Sequence, residues 1–308
     1  MLAVTTVAPV RDAVDADVRI RDVAPRDGLQ SERPVPASQR AALALKLSQA
    51  GLRDVEVASF VSPKAVPAMA DAADVVAALA DAPSPARWWT LVPNERGAIA
   101  ARAAGVTAIT VTISASEAYS QKNTKMSTGD ALAQLAALWA TLASEATVDV
   151  VVSCAFGSPF DDVHSVSDVA RVVDKVRAVG PVDVTLADTT GAATPRRVRD
   201  VLGAVGTDVG LHLHDTRGSA LANALSAYEL GVRRFDCSVG GLGGSPFAPG
   251  AGGNLATEDF VLVLEDMGIS TGVDQRVLHE ASELAAELVG HAVPSRVAAA
   301  GPLPDFRG

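Results

Sequence analysis

Eight short runs rich in β-branched residues, alternating with Ala- and Leu-rich amphipathic stretches, predict an α/β fold. Strict alternation implies parallel strands joined by crossover helices. Eight such units in about 250 residues fit a closed (β/α)8 TIM barrel better than an open doubly wound sheet. A further observation agrees with closure: the unusual polar residues gather just after the strands, on the rim where such barrels carry their chemistry.

The strands are expected near 18–23, 54–60, 87–92, 107–113, 148–154, 182–187, 209–214 and 234–239. Between them, helices are expected at 37–50, 68–80, 95–104, 127–145, 165–179, 195–205 and 218–230. Extra C-terminal helices follow near 255–267 and 273–289. Thr194-Pro195 supplies an N-cap with proline in the first turn, and Pro36-Ala37-Ser38 opens another helix with turn-like chemistry. No linker or low-complexity stretch divides residues 1–308, so one TIM-barrel domain is expected. The barrel would span about 18–289, with a loose N-terminal segment 1–17 and a Pro/Gly-punctuated C-terminal tail 293–308.

Of the 308 residues, 48% are hydrophobic and 20% charged, enough for a large core and contrary to disorder. The net charge of −10 excludes a nucleic-acid surface, which needs clustered Lys and Arg. Cys154 and Cys237 lie far apart in apolar runs and read as reduced, buried thiols of an intracellular protein. The first eighteen residues carry Asp12, Asp15 and Asp17 and lack the pattern of a signal or transit peptide. No apolar run approaches the ~20 residues of a membrane span, so a cytoplasmic protein without membrane contact is expected.

Arg26 and Asp27 follow the first strand, Glu56 lies inside the second, and Asp188-Thr189 follow the sixth. The seventh strand ends in His212-Leu213-His214-Asp215. Strand side chains alternate, so His212 and His214 share a face and form a natural ligand pair for a divalent metal. Blander readings stand beside these. Asp27 in RDGLQ reads as a turn cap, Glu56 as a paired structural charge, and Asn254 as the N-cap of the helix that follows it. After the last strand, residues 240–254 are glycine-rich, as in a flexible lid or a backbone cradle.

Taken in chain order, APRDGLQSE (24–32), VEVASFVSPKAVPAMAD (55–71), LVPNERG (91–97), VSCAFGSPF (152–160), ADTTGAATP (187–195), LHLHDTRGSALAN (211–223) and GGLGGSPFAPGAGGNLATED (240–259) carry a resemblance. The chain resembles the 3-hydroxy-3-methylglutaryl-CoA lyase family of metal-dependent barrel lyases and aldolases. The resemblance implies cleavage of a 3-hydroxyacyl-CoA to acetyl-CoA and a 3-oxoacid, acetoacetate for the parent substrate, within leucine degradation. It implies that Asp27, His212, His214 and Asn254 hold Mg2+ or Mn2+, with the metal lowering the pKa of the substrate hydroxyl. Arg26 would stabilise the enolate, and Glu56 and Asp188 would orient Arg26 or the ligands. The same resemblance puts Arg26, Asp27, Glu56, His212 and Ser245 in the catalytic set, and Arg26, Arg33, Asp188 and Thr189 against the substrate. An anionic CoA needs cations at the mouth: Arg33 fits best by position, with Lys64, Lys122 and Lys125 as further candidates. A homo-oligomer, dimer or tetramer, is also implied.

One position departs from the family pattern. The glycine-rich loop normally reads GLGGCP, and its cysteine is thought to move a proton, whereas this chain has Ser245. A thiol titrates near pH ~8.5, but a serine hydroxyl is a far weaker acid. Ser245 would relay the proton through water or histidine, or the proton would come from elsewhere. A related lyase for a substituted 3-hydroxyglutaryl-CoA or citramalyl-type ester is the second reading, and a non-catalytic CoA-ester-binding barrel the third.

Overall fold

The computed structural model describes residues 16–142, 146–160, 165–244, 252–301 and 303. Eight parallel strands close in sequence order: β1 (Arg19–Asp22), β2 (Asp54–Ser59), β3 (Arg87–Leu91), β4 (Ala108–Ser114), β5 (Thr147–Ser153), β6 (Asp183–Asp188), β7 (Gly210–Leu213) and β8 (Arg234–Cys237). The ring shuts where β1 pairs with β8, Arg21 lying opposite Asp236. The expected TIM barrel is therefore present, with strand boundaries within two residues of those read from the sequence.

Helices α1 (Ala37–Gln49), α2 (Ala72–Ala80), α3 (Glu95–Ala103), α4 (Glu117–Thr124), α5 (Thr128–Leu142), α6 (Val166–Arg177), α7 (Pro195–Val205) and α8 (Ala220–Leu230) cover the barrel. Strand residues of one phase, such as Val55, Val111, Val150, Leu186, Leu211 and Phe235, are buried in the shell against these helices. After β8 come α9 (Thr257–Asp266) and α10 (Gln275–Val289). Phe260 of α9 stacks edge-on against Phe235, with ring centroids 4.9 Å apart. The turn before α10 joins the end of α1, where Asp274 N–H donates to the Ala50 carbonyl at 2.7 Å.

Several caps follow from local chemistry. Thr194 accepts from Arg197 N–H ahead of Pro195, as expected. Ser165 and Asp168 form a reciprocal capping box on α6. The structure also departs from the expected elements. Helix α4 was not foreseen, because EAYSQKNT has no apolar stripe; Ser116 caps it by accepting from Tyr119 N–H. Residues 67–69 form a separate short 3-10 turn, so α2 starts later than expected.

The expected loose ends need correction where they are described. Asp17 exchanges two hydrogen bonds with Ser270, so the start of the barrel is tied down. In the tail, α11 (Arg296–Ala300) is fastened to α9 by Asp259, which accepts from Ser295 Oγ and from the amides of Arg296 and Val297. Residues 1–15, 302 and 304–308 lie outside the described residues. Among the described residues, no helix is long and apolar enough to cross a membrane.

Candidate active site

The chain leaves β1 through a five-residue π-turn, Ala24–Gly28, absent from the sequence reading. Wide turns of this kind recur at functional sites. Here the Val23 carbonyl accepts from the amides of Arg26, Asp27 and Gly28, and Leu29 N–H reaches back to the Ala24 carbonyl. The turn brings two consecutive polar side chains together: Arg26 Nη1 lies 2.6 Å from Asp27 Oδ1. Gln30 donates to that same oxygen at 2.7 Å. Asp27 Oδ2 is left facing β7.

His212 and His214 do share a face, with ring centroids 5.0 Å apart. Each uses Nδ1 for a structural hydrogen bond, His212 to Asp236 Oδ2 at 3.2 Å and His214 to the main-chain carbonyl of Asp188 at 2.9 Å. That leaves both Nε2 atoms free as ligands. His212 Nε2 is 3.9 Å from Asp27 Oδ2, and one ligand atom from each of Asp27, His212 and His214 fits within 4.8 Å of the others.

Asn254 completes the group, and not as a helix cap. The N-cap of α9 is Ala256, without a side-chain bond. Asn254 instead pairs in an isolated antiparallel bridge with His214. Its amide donates to Asp27 Oδ2 at 2.7 Å and to the Leu242 carbonyl at 2.9 Å, leaving Oδ1 buried without a partner. A buried acceptor with no donor is costly unless something binds it. The Asn254 side chain adjoins the group of Asp27, His212 and His214, and this mixed nitrogen and oxygen donor set fits a divalent metal.

Glu56 holds Arg26. Its carboxylate accepts from Arg26 Nε at 2.5 Å, from Arg26 Nη2, and from Thr110 Oγ1. Beneath this level the barrel interior is ionic instead of aliphatic, which sequence reasoning missed. Arg21 makes a two-pronged bond to Asp236, 2.8 Å on each arm, and reaches Asp149 at 2.7 Å. The signal was present: Arg21, Asp149 and Asp236 each lie within a strand at the phase that faces inward. In these linked ion pairs four carboxylates (Asp27, Glu56, Asp149, Asp236) meet two guanidiniums (Arg21, Arg26).

Burial works to raise Asp27, but Arg26 and His212 outweigh it and hold the carboxyl below its ordinary value. Burial and the neighbouring His212 push His214 down to about 4, keeping it neutral and ready to ligate. For His212, burial is overcome by the hydrogen bond to Asp236 and the charge of Asp27, which hold it above its ordinary value. The site attracts positive charge at His212.

The remaining candidates separate. The Asp188 carboxylate turns into its own loop, accepting from the amides of Ala192 and Ala193, and burial raises it to about 6. Its contact with the histidines is through the main chain. Thr189 is buried and accepts from Cys154 N–H at 2.8 Å. Arg33 is exposed beside Gly290 at the end of α10, and Lys64 is exposed in the loop after β2. Lys122 lies in the last turn of α4, and Lys125 is its left-handed C-cap, φ 61°. Asn94 caps α3. Ser245 lies outside the described residues. Both cysteines are buried.

Comparison with known proteins identifies the family. The HMGL-like family matches residues 17–285. The chain is 42% identical over 290 residues to the mitochondrial hydroxymethylglutaryl-CoA lyase of Bos taurus, covering 92% of this chain and 89% of that one. It is 37% identical over 303 residues to the (R)-citramalyl-CoA lyase of Chloroflexus aurantiacus, covering 93% and 95%. Among solved structures, an HMG-CoA lyase from Acinetobacter baumannii, in complex with coenzyme A and 3-methylmalate, superposes with a TM-score of 0.89 at 37% identity. That match covers 96% of this chain and 99% of the other. The chain belongs to the HMGL-like family and is a carbon–carbon lyase.

Proposed function

We propose that the protein cleaves 3-hydroxy-3-methylglutaryl-CoA to acetyl-CoA and acetoacetate, using a divalent metal held by Asp27, His212, His214 and Asn254. The observation that carries the reading is the convergence of Asp27, His212 and His214, with the Asn254 side chain bonded to Asp27, beside a guanidinium fixed by two carboxylates. Bound there, Mg2+ or Mn2+ would supply Lewis acidity toward the 3-hydroxyl oxygen.

The chain's own residues supply the rest. Asp27, held ionised, is the acceptor we assign to the hydroxyl proton, with His212 facing it at 3.9 Å. As that proton leaves, the C2–C3 electron pair moves onto the thioester, C3 becomes a ketone, and C2 then takes up a proton. Arg26 is held by Glu56 and Asp27 before substrate arrives, so it meets the charge growing on the thioester oxygen without reorganising. We assign Ser245 to the proton return, through water. Asp188 and Thr189 shape the rim beside His214, and Arg33, with Lys64, Lys122 and Lys125, would meet the CoA phosphates. The partner is thus an acyl-CoA, with no part for nucleic acid or membrane, and the setting we assign is cytoplasmic leucine degradation by a homo-oligomer.

A second reading has specific support. Citramalyl-CoA is shorter than hydroxymethylglutaryl-CoA by one methylene in the acyl arm, and a relative named for that activity is 37% identical. One methylene changes discrimination by ~10–200-fold, so the two esters are separable by rate. Assaying both, with Mg2+ and with Mn2+, decides. Faster release of acetyl-CoA from hydroxymethylglutaryl-CoA supports the first reading, and faster release from citramalyl-CoA replaces it with the second.

A further inference from the structure

The two histidines are oriented by different kinds of acceptor. His214 Nδ1 meets a main-chain carbonyl, Asp188 O, which no side-chain substitution removes. His212 Nδ1 meets a side chain, Asp236, buried to 6% exposure on the neighbouring strand. Register places them side by side, because His212 pairs directly with Asp236 between β7 and β8.

Asp236 is itself fixed. Arg21 donates Nε to Oδ1 and Nη2 to Oδ2, both at 2.8 Å, and Asp149 holds Nη2 from the far side at 2.7 Å. Asp149 in turn accepts from Thr185 Oγ1, and the Arg21 guanidinium lies 4.9 Å from the Trp89 ring centroid. The Asp236 carboxylate thus accepts from Arg21 at both oxygens and has no proton to give, so His212 Nδ1 must meet it as a donor. Only a carboxylate, which accepts at both oxygens, satisfies Arg21 and His212 together.

We propose that Asp236 is a positioning residue of the metal site, holding His212 in the Nδ1–H tautomer so that Nε2 faces Asp27 and the ion. The inference rests on the reading that Asp27, His212, His214 and Asn254 bind a metal. Asparagine at position 236 exposes the logic. An amide has one acceptor atom and one donor group. Turning its oxygen toward Arg21 Nε directs its NH2 at His212 Nδ1, which selects the Nε2–H tautomer and blocks ligation. Turning it the other way sets NH2 against the guanidinium Nε–H.

The test measures Mn2+ uptake by chelator-treated parent protein and by Asp236→Asn, reading free Mn2+ by electron paramagnetic resonance. In parallel, nitrogen-15 NMR of histidine-labelled, Mg2+-loaded parent protein reads the His212 tautomer. The expected results are a proton on Nδ1 in the parent and ~10–100-fold weaker Mn2+ affinity in the variant, the usual cost of losing an acceptor behind a metal-bound histidine. Parent uptake with unchanged affinity in a folded variant, or a proton on Nε2 in the parent, overturns the assignment while leaving the metal site standing. No Mn2+ uptake by the parent overturns both. Should the variant fail to fold, the parent tautomer decides alone.

Discussion

Gly243 sits where the glycine-rich loop passes over the candidate metal site, and its φ of 112° is strained for any residue with a side chain. A Cβ there would collide with the Asn254 amide nitrogen and come within 3.2 Å of Asp27 Oδ2. Gly243→Ala therefore carries two costs. The backbone conformation costs ~1–3 kcal/mol for a non-glycine residue. Displacing the Asn254 amide breaks its bonds to Asp27 and Leu242, each worth about 1 kcal/mol. The sum, about 3–5 kcal/mol, is a large part of the ~5–15 kcal/mol net stability of a typical domain. Metal affinity should fall too, because Oδ1 leaves with the amide. Urea melts of chelator-treated protein and Mn2+ titration measure the two effects separately. Gly203→Ala is the control: it lies in α7 with nothing within 4 Å of the added carbon, and should stabilise by about 0.5–1 kcal/mol. If Gly243→Ala melts with the parent protein and binds Mn2+ equally well, the proposed packing of Asn254 against Asp27 is refuted.

Arg26→Gln should lower kcat by ~10²–10³ with Mn2+ affinity nearly unchanged; a normal rate would remove Arg26 from the chemistry. Ser245→Cys should raise kcat ~10-fold or more if a missing thiol limits proton return, and an equal or lower rate refutes that limit. Burial raises Asp22 to about 7, despite bonds from Thr257 Oγ1 and the amides of Ala24 and Val239. A carboxyl raised in the folded state contributes stability below its unfolded value near 4, and loses it as pH rises through about 7. Relative to the parent, Asp22→Asn should therefore gain stability between pH ~4 and ~8 in urea melts, and a constant difference across that range contradicts the assignment.

Much of the fold was legible because strand and helix periodicities differ and alternate cleanly along this chain. The pairing of His212 with His214 was legible for the same reason, since period-two geometry alone puts them on one face. What escaped had weak or misleading local signals. The π-turn at Ala24–Gly28 depends on hydrogen bonds to Val23 that no sequence pattern announces. Asn254 had the local signature of a helix cap, and only the closing of the barrel brings it to Asp27, 227 residues away in sequence. Arg21, Asp149 and Asp236 were passed over because charged residues in short strands usually mark exposed faces. In a barrel both faces are buried, so such charges must pair inside, and here they reach His212 through Asp236.

The central claim is metal-dependent cleavage of a 3-hydroxyacyl-CoA at the mouth of this barrel. Its most direct test is to follow acetyl-CoA and acetoacetate together from hydroxymethylglutaryl-CoA, using chelator-treated protein before and after adding Mg2+ or Mn2+. The account predicts no products without metal and equimolar amounts of both after it is restored. Protein that takes up either ion yet releases neither product would contradict the claim.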